Sequence, residues 1–248
     1  MIVLDIETIP IPLEEMTPWM QDYCVREFSG VPKTTKDPVK RAQLMAAPEA
    51  MEKSIKQRSV SPYMNKIVAI GMITGVDTTI DYTTGNRRRT RKMAWCSLDE
   101  RDLLTRFWRV INRDGIDILT FNGKAFDIPT IYNRTAYHKI KPKRVLDSAL
   151  RRGMTFPHCD LAEFLVHGSY GTYLSLEFWL NYYGIRNSKS DFDGSMVYGA
   201  IQDGEFERVK QYVLEDCESL LELYKRVRPS LLQVRSTNRL GESWKNDY

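Results

Sequence analysis

Met1-Ile2-Val3-Leu4-Asp5-Ile6-Glu7-Thr8 opens the chain as an apolar, β-branched run of strand length that carries two acids near its end. Side chains alternate faces along a strand, so Val3, Asp5 and Glu7 share one face while Ile2, Leu4 and Ile6 share the other. The two carboxylates therefore point together. Side by side at the end of a buried strand they repel one another and lose hydration, a cost that a bound cation removes. The competing reading is a surface strand with two solvated acids.

Two further acids lie on elements that could bring them to the same place. Ile116-Asp-Ile-Leu-Thr-Phe121 reads as another strand and leads through Asn122-Gly123 into a helix expected from Phe126 to about His138, with Asp127 at its entrance. Asp127 could be an ordinary N-cap, with Pro129 tolerated in the first turn. Its position beyond the carboxyl end of a strand in an α/β sheet is also where ligands bind. The strongest helical pattern runs from Glu205 to about Val227, where Val209, Tyr212, Val213, Asp216, Leu220 and Leu223 recur at helical spacing. Tyr212 and Asp216 are i and i+4 and share an otherwise apolar face. An Asp in a core-facing stripe needs a cation or a donor, unless the helix turns it to the rim beside Glu215 and Glu218.

Taken together, these groups read as a two-metal nuclease site. Phosphodiester hydrolysis of this kind uses two divalent cations roughly 3.5–4 Å apart to clamp the attacking and leaving oxygens. Mg²⁺ and Mn²⁺ are hard ions that prefer oxygen donors, so Asp and Glu suit them where a His/Cys cluster would not.

Asp5-Ile-Glu7-Thr8, Asn122-x-x-x-Phe126-Asp127 and Tyr212-x-x-x-Asp216, in this order, resemble the three exonuclease motifs of the DEDD superfamily. Tyr four residues before the last Asp is the mark of the tyrosine (DEDDy) branch; the sister branch carries His five before it, and here that position is Gln211. More narrowly, the chain is similar to stand-alone 3′–5′ exonucleases related to the proofreading domain of family B DNA polymerases. Lys66-Ile-Val-Ala-Ile-Gly71, Ser175-Leu-Glu-Phe-Trp-Leu-Asn-Tyr-Tyr-Gly-Ile185 and Asp193-Gly-Ser195 support it. The resemblance covers residues 1–11 and about 63–228.

It implies an α/β, ribonuclease H-like fold: a mixed sheet, its first three strands antiparallel, flanked by helices. It implies that Asp5, Glu7, Asp127 and Asp216 hold two Mg²⁺ or Mn²⁺ ions and that Tyr212 orients the attacking water, a phenol with a pKa near 10 being a poor base at neutral pH. Thr8, Asn122 and Phe126 are the expected contacts to the terminal nucleotide. The expected substrate is the 3′ end of single-stranded DNA. Alternatives are a 3′–5′ exoribonuclease of the same fold, and a catalytically idle nucleic-acid-binding or polymerase accessory module.

At 248 residues, 42% hydrophobic and 27% charged, the chain suits one exonuclease domain over 1–248, with an elaboration at about 12–62 and a short tail from about 229. That length leaves no room for a polymerase, so a polymerase or repair partner would be met in trans. Cys24, Cys96, Cys159 and Cys217 form no Cys-x-x-Cys, which argues against zinc and disulfides and suits a cytoplasmic location. No leader pattern precedes the first strand, and the longest apolar run, Ile67 to Ile73, falls short of a membrane span.

A net charge of +4 leans only modestly towards polyanions. Arg87-Arg-Arg-Thr-Arg-Lys92 is expected near the tip of a hairpin built from Ile67–Ile73 and Thr78–Tyr82, as a phosphate contact or a solvated loop. Lys139, Lys141, Lys143, Arg144, Arg151 and Arg152 are a second basic region of the same kind. Phe178, Trp179, Tyr182 and Tyr183 recur at helical spacing and are expected mostly in the core, with base stacking as the alternative. Asp160, Asp191 and Asp193 are candidate supporting or substrate contacts or plain loop acids, and His138, His158 and His167 lack metal-ligand spacing. No Gly-rich phosphate loop is present. Residues 12–62 hold Pro12, Pro18, Pro32, Pro38, Pro48 and Pro62 and a helix-like patch from Lys40 to Ile55. An insertion of this length beside a catalytic strand suits a cover over the substrate channel, a partner contact or a surface elaboration.

Overall fold

A computed structural model describes residues 1–28, 30–32, 34–76, 90–114, 117–143, 157–166, 173–185 and 191–232. Five strands form one mixed sheet in the order β3-β2-β1-β4-β5. Strand β1 (Ile2–Pro10) is central; it pairs antiparallel with β2 (Asn65–Thr74), which pairs antiparallel with β3 (Arg91–Cys96). On the other side β4 (Ile118–Thr120) runs parallel to β1, and β5 (His158–Asp160) runs parallel to β4. The ribonuclease H-like fold and its three leading antiparallel strands are thus present.

The alternation read from β1 holds in three dimensions. Ile2, Leu4 and Ile6 enter a core with Phe107, Trp108 and Ile111 of α4 (Glu100–Asp114) and with Ile128 and Ile131 of α5 (Asp127–Tyr137). Val3, on the opposite face, packs with Cys217, Leu220 and Leu223 of α9 (Phe206–Val227), the long helix that follows the short α8 (Val197–Gln202). The sheet is a partition with α4 and α5 on one side and α9 on the other, and Asp5 and Glu7 face α9.

Two features bring α9 close to the sheet. Gly71, paired with Asp5 across the β1–β2 ladder, has no side chain where α9 crosses; a Cβ there would lie 2.6 Å from the Val213 carbonyl oxygen and 3.0 Å from Cys217 Sγ. A glycine inside a strand marks such an approach. The β1–β2 register also shifts between Glu7 and Thr8, which is the irregularity of a bulge. Bulges next to functional sites re-aim side chains.

On the α4 side the core encloses a charge cluster. Glu100 accepts the Arg134 Nε–H, shared between its two oxygens at 2.9 Å each, and Nη2 at 2.6 Å, receives the Ile67 N–H at 2.7 Å and meets His138 Nε2 at 2.7 Å. The carboxylate ties α4, α5 and β2 together, which is how two buried charges are tolerated there.

The elaboration is helical: α1 (Pro18–Phe28), α2 (Pro38–Met45) and α3 (Pro48–Ser59). Each begins on a proline, whose fixed φ and missing N–H suit a first helical position. The single patch expected from Lys40 to Ile55 is therefore two helices, because Pro48 holds Ala47 at φ −62°, ψ 134° and starts α3 afresh. Ile11, Met16 and Cys24 form a small core of their own with Leu13, Met20, Phe28 and Met64. Arg58 Nη1 donates to the Ile11 carbonyl at 2.7 Å and pins α3 to the end of β1.

Arg91 and Lys92 are strand residues, paired with Thr74 and Ile73, so the partner of β2 is Arg91–Cys96. Lys92 pairs with Glu218 of α9 at 2.7 Å. Thr78–Tyr82, Arg87–Arg89, Arg144, Arg151, Arg152, His167 and the tail beyond residue 232 lie outside the described residues. In α7 (Leu176–Tyr182) the expected core packing holds for half of the aromatic run: Trp179 and Tyr183 pack against the α9 side. Phe178 and Tyr182 are 44% and 66% exposed and stack on each other. Two i,i+4 pairs on a short helix point in different directions, and only one can face the sheet. No described helix is long and apolar enough to cross a membrane.

Candidate metal centre

Asp5 and Glu7 project from β1 towards the first half of α9, where Asp216 meets them. Each of these three carboxylates offers an oxygen within 4.8 Å of the others. Asp216 is 8% exposed and Tyr212, one turn earlier, 6%. The i,i+4 relation expected from the sequence thus delivers both to the strand acids.

Tyr212 donates its hydroxyl hydrogen bond to Asp216, and its pKa is driven far above the ordinary phenol range by burial, then by the Glu7 and Asp216 charges, by that bond and by Asp5. The phenol keeps its proton at any physiological pH. The Phe192 ring packs edge-on to it at 5.1 Å, fixing the plane of the ring.

Asp127 reaches the cluster from the other side of β1. Strand β4 is only three residues long and pairs with Ile2 and Val3, so the edge of β1 beyond Val3 is open. There the Asp127 carboxylate accepts the backbone N–H of Ile6, the residue between Asp5 and Glu7. It is not the N-cap of α5; that place belongs to Phe126, which makes no side-chain cap. Asp127 is 3% exposed, and its Oδ1 is buried with no hydrogen-bond donor against it among the described residues. Cys217 feels all three neighbours: burial first, then Asp5, Asp216 and Asp127, raise its thiol pKa. Its bond to the Ile6 N–H, between Asp5 and Glu7, sets Asp127 beside the trio, although it is not within the 4.8 Å set.

A buried carboxylate oxygen lacking a donor and three further carboxylates converging on one point suit a hard divalent cation, which needs several anionic oxygens and tolerates their crowding. The residues present fit such ions.

The three expected nucleotide contacts fare differently. Thr8 is buried; its hydroxyl donates to the Ser59 carbonyl at 2.6 Å and accepts from Asn65 Nδ2 at 3.1 Å. That hydroxyl is committed to holding α3 against β1. Asn122 and Phe126 flank the turn into α5, half-buried, with Phe126 resting on the α4–α5 core. Two contributors are not among the expected site residues. Gly71 had a legible signal, a glycine inside an apolar strand. The Thr8–Ser59–Asn65 contact had none, since the partners are far apart in the chain.

Burial, then the neighbouring Asp160 carboxylate, push Asp127 from 3.8 up to about 8. The unfolded chain releases this proton near the lower value and the folded, metal-free chain near the upper. The stability Asp127 contributes is therefore full below pH 3.8 and is lost as pH rises towards about 8. In EDTA, the melting temperature of the wild type relative to Asp127→Asn should fall steadily across that window and level off above it. A constant difference across the window would contradict the burial of an ionisable Asp127.

The fold and the site together define a ribonuclease H-like chain with a clustered-carboxylate centre midway along its central strand. It belongs to the family described as "Predicted 3'-5' exonuclease related to the exonuclease domain of PolB", which matches residues 60–236. Asp127, Tyr212 and Asp216 lie inside that match; Asp5 and Glu7 precede it and join the site through the sheet. The structure is also similar to that of the family B DNA polymerase from the hyperthermophilic archaeon Pyrobaculum calidifontis, with a TM-score of 0.57 and 16% identity. The similarity covers 96% of this chain and 26% of the polymerase, about a quarter of its length. At that identity the likeness speaks for the fold. No curated protein matches the chain.

Proposed function

We propose that this chain is a metal-dependent 3′–5′ exonuclease that removes nucleotides from the 3′ end of single-stranded DNA. The observation that carries the reading is the convergence of Asp5, Glu7 and Asp216 within 4.8 Å, with Tyr212 bonded to Asp216. Asp5, Glu7, Asp127 and Asp216 would hold two Mg²⁺ or Mn²⁺ ions, whose chemistry is to activate water near neutral pH and to stabilise the leaving oxygen.

The chain's own groups do the rest. Tyr212, a buried phenol bonded to Asp216, is a poor base at neutral pH; its hydroxyl, aimed by Asp216 and braced by Phe192, positions the attacking water. That water attacks the terminal phosphorus, the bond from phosphorus to the 3′ oxygen breaks, and a nucleoside 5′-monophosphate leaves. Asn122 and Phe126, at the turn that leads to Asp127, would contact the terminal nucleotide, and Thr8, its hydroxyl engaged with Ser59 and Asn65, could do so only through its main chain. A polymerase or repair complex is the partner that would supply the 3′ ends.

The test is degradation of 5′-labelled single-stranded DNA and the matching RNA with Mg²⁺, Mn²⁺ or EDTA. A metal-dependent ladder shortening from the 3′ end of the DNA is the expected result. Preferential shortening of RNA would make the chain an exoribonuclease, and strand binding without product under every metal condition would make it a binding module.

A further inference from the structure

Asp160 ends β5 at 4% exposure, and its carboxylate faces four backbone N–H groups. Oδ1 accepts from Asn122 at 2.8 Å, from Ala162 at 3.1 Å and from Glu163 at 3.5 Å; Oδ2 accepts from Lys124 at 2.9 Å. Two of these amides belong to the first turn of α6 (Leu161–Leu165), which Asp160 caps. The other two belong to the turn that joins β4 to α5.

That turn needs a clamp. Asn122 stands at φ +62°, a left-handed conformation uncommon for a residue with a side chain. Gly123 packs so tightly that a Cβ would overlap the side chain of Thr120. A strained link of this kind persists only when its surroundings over-determine it. Asp160 supplies the determination from a neighbouring strand, a few residues ahead of Asp127. With both oxygens engaged by amides, Asp160 is not placed to hold an ion itself.

We propose that Asp160 is a positioning residue of the metal centre: by gripping the Asn122 and Lys124 amides it sets where Asp127 stands beside Asp5, Glu7 and Asp216. The inference rests on the exonuclease reading only for its activity measurement, and the metal-binding measurement stands apart from it.

The experiment compares the wild-type full chain with Asp160→Asn, Asp160→Ser and Glu163→Gln. Asparagine turns one oxygen into a donor that faces a donor. Serine can still cap α6 but is too short to reach the β4–α5 turn, and it serves if the asparagine variant does not fold. Glu163→Gln breaks the 2.7 Å ion pair with Lys124 while leaving the Asp160 carboxylate and its amides in place, so it separates the loss of a buried ion pair from the loss of the clamp. Mn²⁺ binding is followed by electron paramagnetic resonance, together with kcat and KM for DNA across a Mn²⁺ series and melting by circular dichroism.

A folded Asp160 variant should bind Mn²⁺ roughly 10- to 100-fold more weakly, the usual cost of removing an outer partner of a metal ligand. Its kcat should fall with KM for DNA unchanged and recover in part at high Mn²⁺, whereas Glu163→Gln should melt earlier with wild-type Mn²⁺ affinity. Wild-type Mn²⁺ affinity in a folded Asp160 variant, or an equal loss in Glu163→Gln, would overturn the proposal. So would a wild type that binds no Mn²⁺. A wild type that binds Mn²⁺ and cleaves nothing would remove the exonuclease reading, while the Mn²⁺ affinities would still decide the role of Asp160.

Discussion

Asp216→Ala should lose nearly all turnover in a chain that remains folded, while Tyr212→Phe should keep measurable activity. Asp216 does two things at once: it completes the carboxylate trio with Asp5 and Glu7, and it receives the Tyr212 hydroxyl. Without it a cation loses an anionic oxygen, and a metal's stabilisation of the transition state is several kcal/mol, so a fall of about 10³-fold or more is expected. Phenylalanine removes only the hydroxyl proposed to orient water. Its ring still packs against Phe192, and mispositioning costs about 10²-fold. In EDTA, deleting one of three crowded acids relieves repulsion but leaves the buried Tyr212 hydroxyl without its acceptor, so Asp216→Ala should melt close to the wild type, and it should gain less on adding Mn²⁺. Equal and complete loss of activity in both folded variants would end this division of roles.

Gly71→Ala should damage the site from beneath without touching any ligand. The added Cβ meets a main-chain oxygen, that of Val213, at 2.6 Å, and Cys217 Sγ at 3.0 Å. A carbonyl in the middle of α9 cannot turn aside as a side-chain tip can, so the helix must move away from the sheet. Such overpacking costs typically about 1–3 kcal/mol. Val213 follows Tyr212 and Cys217 follows Asp216, so the same shift carries both away from Asp5 and Glu7. A misplacement of about 1 Å costs about 10²-fold in rate. Thermal melting and the DNA-shortening assay together check this. Wild-type rates in a destabilised Gly71→Ala would mean that α9 pivots without moving its acids.

Much of the site was legible before the fold, because its acids sit on elements with clear periodicity. Alternation in β1 put Asp5 and Glu7 on one face with Val3, and helical spacing put Tyr212 and Asp216 on the inner face of α9. The elements expected at Phe126–His138 and Glu205–Val227 stand at Asp127–Tyr137 and Phe206–Val227. Where the reading departed from the structure, the deciding partner was distant in sequence. Phe178 and Tyr182 share the spacing of Trp179 and Tyr183, and nothing local says which pair faces the sheet. Arg91 and Lys92 belong to β3 because Thr74 and Ile73 pair with them, a register set by the sheet. Glu100, with neighbours typical of an exposed helix start, is buried only because Arg134 and His138 arrive to meet it.

By itself, the sequence determined which residues carry the acids, which element each rides on and which face each presents, since these follow from periods of two and 3.6 residues. Only the tertiary structure decided that the acids converge. That outcome depends on the shortness of β4, which leaves Ile6 open to Asp127, on the bare surface of Gly71 beneath α9, and on the Asp160 carboxylate across the β4–α5 turn. These are distances between segments far apart in the chain, set by packing and hydrogen-bond satisfaction that no local pattern encodes.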